Sequence, residues 1–171
     1  MKPSTDSPRP DPFDKRALLE ALRAHFSSEL EQIKARATTA AQAAAHEENR
    51  PESDKDMRST EESYVARGQA LRAAEVEQVL ARLTGLSIAR FGPQSPIALS
   101  ALVTLEHNGR RTLYFLVPVG GGERIEIGSR KVQTLATTSP LGAALLGLQQ
   151  GDEAEVTTPQ GLRTYEVVSV E

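Results

Sequence analysis

The sequence predicts an α+β protein: an N-terminal antiparallel helical hairpin followed by a small antiparallel sheet domain with one short helix. Three observations predict it. Apolar residues recur at helical spacing from about Phe13 to Ala44 and again from Tyr64 to Leu83. The period falls to two after Arg90. Turn signals then punctuate the second half at Asn108-Gly109, Gly120-Gly121-Gly122, Gly151-Asp152 and Gln160-Gly161.

The first element is long. Leu18, Leu22, Phe26, Leu30, Ile33, Ala37, Ala41 and Ala44 form one apolar stripe. The Ala-rich run from Ala35 to Ala45 adds helix propensity. Helix from Phe13 to Glu48 makes a rod of about 54 Å. Pro51 disfavours helix at Arg50 and ends it. Ser59 and Glu62 have capping-box spacing, which predicts the start of a second helix. Tyr64, Leu71, Val76, Leu80 and Leu83 supply its apolar face, and Gly85 its stop. Before the rod, residues 1–12 carry Pro3, Pro8, Pro10 and Pro12 and read as a disordered tail. The expected layout is a tail over 1–12, a hairpin over 13–86 with its tip at 49–58, and a sheet domain over 87–171.

In the second half, Ile97, Leu99, Ala101, Val103 and Leu105 alternate as a half-buried strand should. Asn108-Gly109 predicts a two-residue hairpin turn into a partner strand over Arg111 to Val117. Ile125/Ile127 and Val132/Leu135 mark shorter strands. Ser139 and Pro140 are the cap and first residue of a brief helix. Val156 and Tyr165-Val167-Val170 form a closing antiparallel pair.

Composition narrows the function. The chain has 171 residues, net charge −3, no Cys, no Trp and 4% aromatic residues. No disulfide framework, thiolate zinc site or cysteine nucleophile can be built. No apolar run reaches the roughly 18–20 residues that span a bilayer, and the first residues lack a secretory signal. A monomeric, cytoplasmic protein with no membrane partner is expected. Neither half is basic enough to bind nucleic acid alone by phosphate neutralisation. Between Glu47 and Glu62 stand seven acids and three bases, so the negative charge gathers at the expected hairpin tip.

The most specific run is Ser139-Pro140-Leu141-Gly142, the apolar helix to Gly147, Gly151-Asp152, Pro159-Gln160-Gly161 and Tyr165. This order resembles the C-terminal domain of the GreA/GreB family of bacterial transcription elongation factors, over roughly Ile97 to Val170. Basic residues often precede the family's Gly-Asp, where this chain has Leu148-Gln149-Gln150. The resemblance implies a coiled-coil hairpin and a C-terminal domain like FK506-binding proteins. It also implies RNA polymerase as partner, with the hairpin in its secondary channel and an indirect contact to the transcript 3′ end. Turn and cap chemistry alone account for the run itself, so no catalysis is assigned to it. A prolyl isomerase pocket needs an aromatic lining, for which only Phe91, Tyr114, Phe115 and Tyr165 are available. The chain reads as an accessory factor and not an enzyme of its own.

In cleavage-stimulating members of the family, two tip acids help hold a second Mg²⁺ at the polymerase site. Mg²⁺ takes one or two carboxylates with waters and phosphate oxygens. The candidates here are Glu52, Asp54 and Asp56, with Asp54 and Asp56 as the metal-directing pair; no tightly bound cofactor is expected. The family's tip reads Asp-x-x-Glu-Asn before a Tyr. Aligning that Tyr with Tyr64 puts Met57 and Thr60 at the acid positions. Three readings stand: a cleavage-promoting tip, a channel occupant that modulates or inhibits without cleavage, and an interaction module that never enters polymerase. An acidic turn can also be simply solvated, with Glu61 and Glu62 favoured by a helix dipole. His25, His46 and His107 lack metal-ligand spacing, and Gly120-Gly121-Gly122 lacks the Lys-Ser/Thr of a phosphate loop. Ser139 has no His partner nearby in sequence, which favours capping over nucleophilic catalysis.

Overall fold

The computed structural model describes residues 13–47 and 55–171. Helix α1 spans Lys15–Glu47 and helix α2 spans Lys55–Thr84. Asp14 starts α1: its carboxylate accepts the Arg16 and Ala17 amides, each at 3.0 Å, satisfying two of the donors a helix leaves unpaired. The two helices run antiparallel. The Arg23 guanidinium donates to the Leu83 and Thr84 carbonyls at the end of α2, while further out Glu29 meets Arg72 at 2.6 Å. A cation on the last carbonyls of α2 also complements its dipole. Gly85 follows the last helical residue, as the sequence predicts.

One expectation about α2 is corrected. The helix begins at Lys55, so Ser59 sits inside its second turn and is not the cap. No Pro or Gly lies between Lys55 and Ser59, so the helix extends back past the capping-box signal. The predicted apolar faces also hold only near the foot. Leu18, Leu22, Phe26, Leu30, Val76 and Leu83 are buried, whereas Ala37, Ala41, Tyr64 and Leu71 are exposed.

The strands are β1 Leu102–His107, β2 Arg110–Val117, β3 Arg124–Ile127, β4 Arg130–Ala136, β5 Glu153–Thr158 and β6 Gly161–Val170; α3, Pro140–Leu145, lies between β4 and β5. They form one sheet in the order β3-β4-β2-β1-β6-β5. Asn108 and Gly109 both have positive φ (51° and 73°), which suits a tight turn between twisted strands. The closing pair β5–β6 is antiparallel, as expected.

Two strand expectations need correction. The alternation from Ile97 becomes a strand only at Leu102, because Ser100 turns the chain with φ 66°. The sheet is mixed and not purely antiparallel: β2 pairs with β4 in parallel, Leu113 opposite Val132 through Val117 opposite Ala136. The reason lies in the loop after β2. Thr134 on β4 donates its hydroxyl to the Gly120 carbonyl (2.8 Å) and its amide to Glu123 (2.8 Å), and its Oγ1 accepts the Glu123 amide (3.0 Å). These bonds fold the chain back so that β3 takes the edge and β4 lies beside β2.

The sheet is covered on both faces. On one, the foot of the hairpin packs Leu18, Leu22, Phe26, Val76 and Leu83 against Leu102, Phe115, Val117 and Val132. On the other, Ile97 and Leu145 join Val103, Leu105, Leu116, Ala154 and Val167. Gly120 makes the first contact close. A Cβ there would stand 2.9 Å from Val79 and 3.0 Å from Phe26, and its φ of 76° disfavours any L side chain. Gly120→Ala is therefore expected to destabilise the fold by about 1–3 kcal/mol, as overpacking does. Urea unfolding followed by circular dichroism measures it; an unchanged midpoint would refute the close approach.

Candidate functional site

Helical rise makes α1, with 33 residues, about 50 Å long. Only its foot is anchored. Beyond Ile33 its described residues are exposed, as are Tyr64 to Gly68 on α2. Ion pairs flank the outer part of the hydrophobic core. Arg72 contacts Glu29 at 2.6 Å and Glu75 at 3.3 Å, and Lys34 contacts Glu77 at 3.2 Å. Hydrogen bonding to Glu29 is the main cause that raises the Arg72 pKa above its ordinary value. Pairs this exposed each add little to stability, but they keep the shaft polar and separate from the core.

Of the candidate tip acids, Glu52 and Asp54 lie outside the described residues. Asp56 belongs to the first turn of α2. Met57 and Thr60, at the family's acid positions, are also within α2. Among the described residues no three His, Asp or Glu side chains cluster as a metal would require.

His25 and His107 have structural roles. His25 Nε2 pairs with Glu123 at 3.1 Å, joining α1 to the loop before β3. His107 bonds the Thr164 carbonyl through Nδ1 (2.8 Å) and stacks on Tyr165 with ring centroids 4.7 Å apart. That ring joins the ends of β1 and β6 beside an open groove lined by Asn108, Gln160, Leu162 and Arg163.

The four rings considered for a pocket do not converge. Phe91, Tyr114 and Tyr165 lie on one face of the sheet, and Phe115 is buried on the other. Ser139 caps α3 as expected, accepting the Gly142 amide (3.1 Å) and donating to the Ala136 carbonyl (2.7 Å). Gly142 is required for a reason that turn chemistry misses. It is helical, yet a Cβ there would fall 2.0 Å from the Ala136 carbonyl oxygen. The Ser-Pro-Leu-Gly run therefore encodes a cap followed by a close helix–strand contact.

Residues 92–171 match the family described as transcription elongation factor, GreA/GreB, C-terminal. Transcription elongation factor GreA of Acinetobacter baumannii (strain SDF) is 30% identical over 122 residues, covering 68% of this chain and 73% of that protein. The GreA of Methylococcus capsulatus is 35% identical over 101 residues, covering 58% of this chain and 60% of that protein. Against this relative and the GreA of Hyphomonas neptunium, the match spans about three fifths of the relative's length. The crystal structure of GreA factor homolog 1 of Thermus thermophilus aligns over 88% of this chain and 95% of that one, at 22% identity and TM-score 0.35. At 30% identity over nearly three quarters of the Acinetobacter protein, the chain belongs to the GreA/GreB family.

The cap and the close contact can be told apart by substitution. Ser139→Ala should cost about 1 kcal/mol, the usual value of a lost N-cap. Gly142→Ala should cost more, because backbone has to move to admit the methyl group. Thermal unfolding of both variants tests this, and the reverse order would refute the contact.

Proposed function

We propose that this chain is an elongation regulator that docks on RNA polymerase by its sheet domain and extends the hairpin into the secondary channel. The observation that carries the reading is the arm itself: two helices of 33 and 30 residues, rooted in the sheet domain at one end and exposed beyond Ile33. A module that only docked would need no such reach. Membership of a family whose relatives are named transcription elongation factors supports it. In this reading the hairpin is a coiled coil over 13–86, the domain over 87–171 is like FK506-binding proteins, and the protein is cytoplasmic and monomeric. Its partner is polymerase, with only an indirect approach to the transcript 3′ end. It is not an enzyme on its own.

Asp54 and Asp56, with Glu52 nearby, are the carboxylates that would share Mg²⁺ with polymerase. A bound Mg²⁺ would supply charge stabilisation to transcript cleavage there. The side chains' part is to bring negative charge into a confined site, where low dielectric strengthens it. A second reading is favoured by one observation: the positions aligned with the family's two acids are Met57 and Thr60, and neither is a carboxylate. On that reading the tip fills the channel and modulates elongation without cleavage.

A backtracked elongation complex with cognate polymerase separates the readings by transcript length. If the tip promotes cleavage, added protein shortens the transcript. Asp54→Ala/Asp56→Ala should then slow shortening at least about 10- to 100-fold, the range by which support of a metal site is felt. Binding without shortening supports the second reading, and Met57→Asp/Thr60→Glu should then gain cleavage. No binding to polymerase overturns both and leaves an interaction module.

A further inference from the structure

One charged side chain at the root of the hairpin has no part in the function proposed above. Lys15, in the first turn of α1, directs its ammonium at three backbone carbonyls: Ala89 in the linker after α2, Ser100 at 3.3 Å and Glu171 at 3.1 Å. An ammonium has three N–H donors, so each has an acceptor. The same Nζ stands 4.9 Å from the centre of the Phe91 ring, within range of a cation–π contact. Burial lowers the Lys15 pKa below its ordinary value, and Glu171 opposes that shift.

The three carbonyls come from distant parts of the chain, yet each is fixed to the sheet. Glu171 exchanges both backbone hydrogen bonds with Leu102 at the start of β1 (2.8 and 2.9 Å). Ser100 donates its amide to Leu116 of β2 (2.9 Å). Its hydroxyl accepts the Ala89 amide (2.9 Å), which ties the linker to the same point. Ser100 is also fully buried and holds φ 66°, a conformation costly for a residue with a side chain. The carbonyl cage thus belongs to the sheet domain, and the cation inside it belongs to the arm.

We infer that Lys15 is a positioning residue that sets the bearing of the hairpin on the sheet domain. The other contacts are the packed foot, where Phe26 and Val79 approach Gly120 closely, a cation–π contact of Arg130 on Phe13, and one ion pair. Hydrophobic burial at the foot is non-directional. The His25–Glu123 pair is half exposed and weak. Three hydrogen bonds from one cation to three fixed carbonyls are directional and sit at the pivot. Leverage makes the pivot decisive: on a rod of about 50 Å, a rotation of about 10° at the foot carries the far end about 9 Å. A site built to act on another molecule tolerates displacements of about 0.5 Å. The inference concerns the free chain and does not depend on polymerase.

The chain has no cysteine, so two can be introduced and spin-labelled without interference. Gln42→Cys on the exposed shaft and Glu155→Cys on β5 give one arm-to-sheet distance by pulsed electron paramagnetic resonance. The parent should show a single narrow distribution. Lys15→Met keeps the aliphatic stem and removes the donors. It should shift or broaden the distribution by about 7 Å, which is 10° acting over the roughly 40 Å from Lys15 to Gln42. Its circular dichroism should stay that of the parent. A folded Lys15→Met with the parental distribution overturns the inference. If that variant fails to fold, Ser100→Gly decides: it suits the positive φ and lacks the hydroxyl that holds Ala89. Broadening in Ser100→Gly supports the lock, and an unchanged distribution overturns it.

Discussion

The central pair β1–β2 places Leu102, Phe115 and Val117 on one face of the sheet and Val103, Leu105 and Leu116 on the other, all fully or nearly fully buried. A sheet apolar on both faces has to be covered on both, and the rest of the architecture depends on that requirement. The linker and α3 supply one cover. The other is the foot of the hairpin. The arm is therefore rooted in the same hydrophobic core that stabilises the sheet, and is not hung from it by a linker alone.

That arrangement divides the hairpin into two regions with different chemistry. Near the foot, leucines, Phe26 and Val76 are buried, and Arg23 closes the end of α2. Beyond Ile33, Ala37 and Ala41 of the apolar stripe are exposed, and Arg72 and Lys34 pair with glutamates of the opposite helix. A long helix with a polar shaft and a stable root can extend away from its own domain while burying little surface beyond the root. α2 starts earlier than its capping-box signal because no Pro or Gly between Lys55 and Ser59 breaks the helix.

Close approach is the second recurring constraint. Gly120 lets Phe26 and Val79 reach the loop before β3, and Gly142 lets α3 sit on the Ala136 carbonyl. Both contacts hold parts of the chain that are distant in sequence or follow a sharp turn. Thr134 works alongside them, since its three hydrogen bonds to Gly120 and Glu123 bring β4 beside β2 in parallel. A side chain at either glycine would push apart surfaces that the sheet needs in contact.

The sequence by itself determined what is local. Periods of 3.6 and 2 gave helices then strands, Asn108-Gly109 gave a tight turn, and Ser139-Pro140 gave the start of α3, because these signals act over a few neighbouring residues. The acidic run and the family motif were legible in the same way. Tertiary structure alone decided which contacts those elements make. It turned β4 parallel to β2, left Tyr64 and Leu71 exposed, and gathered Ala89, Ser100 and Glu171 around Lys15. Periodicity reports that a face is apolar, but burial depends on a partner dozens of residues away. A lysine can find three carbonyls only after the strands that hold them have paired.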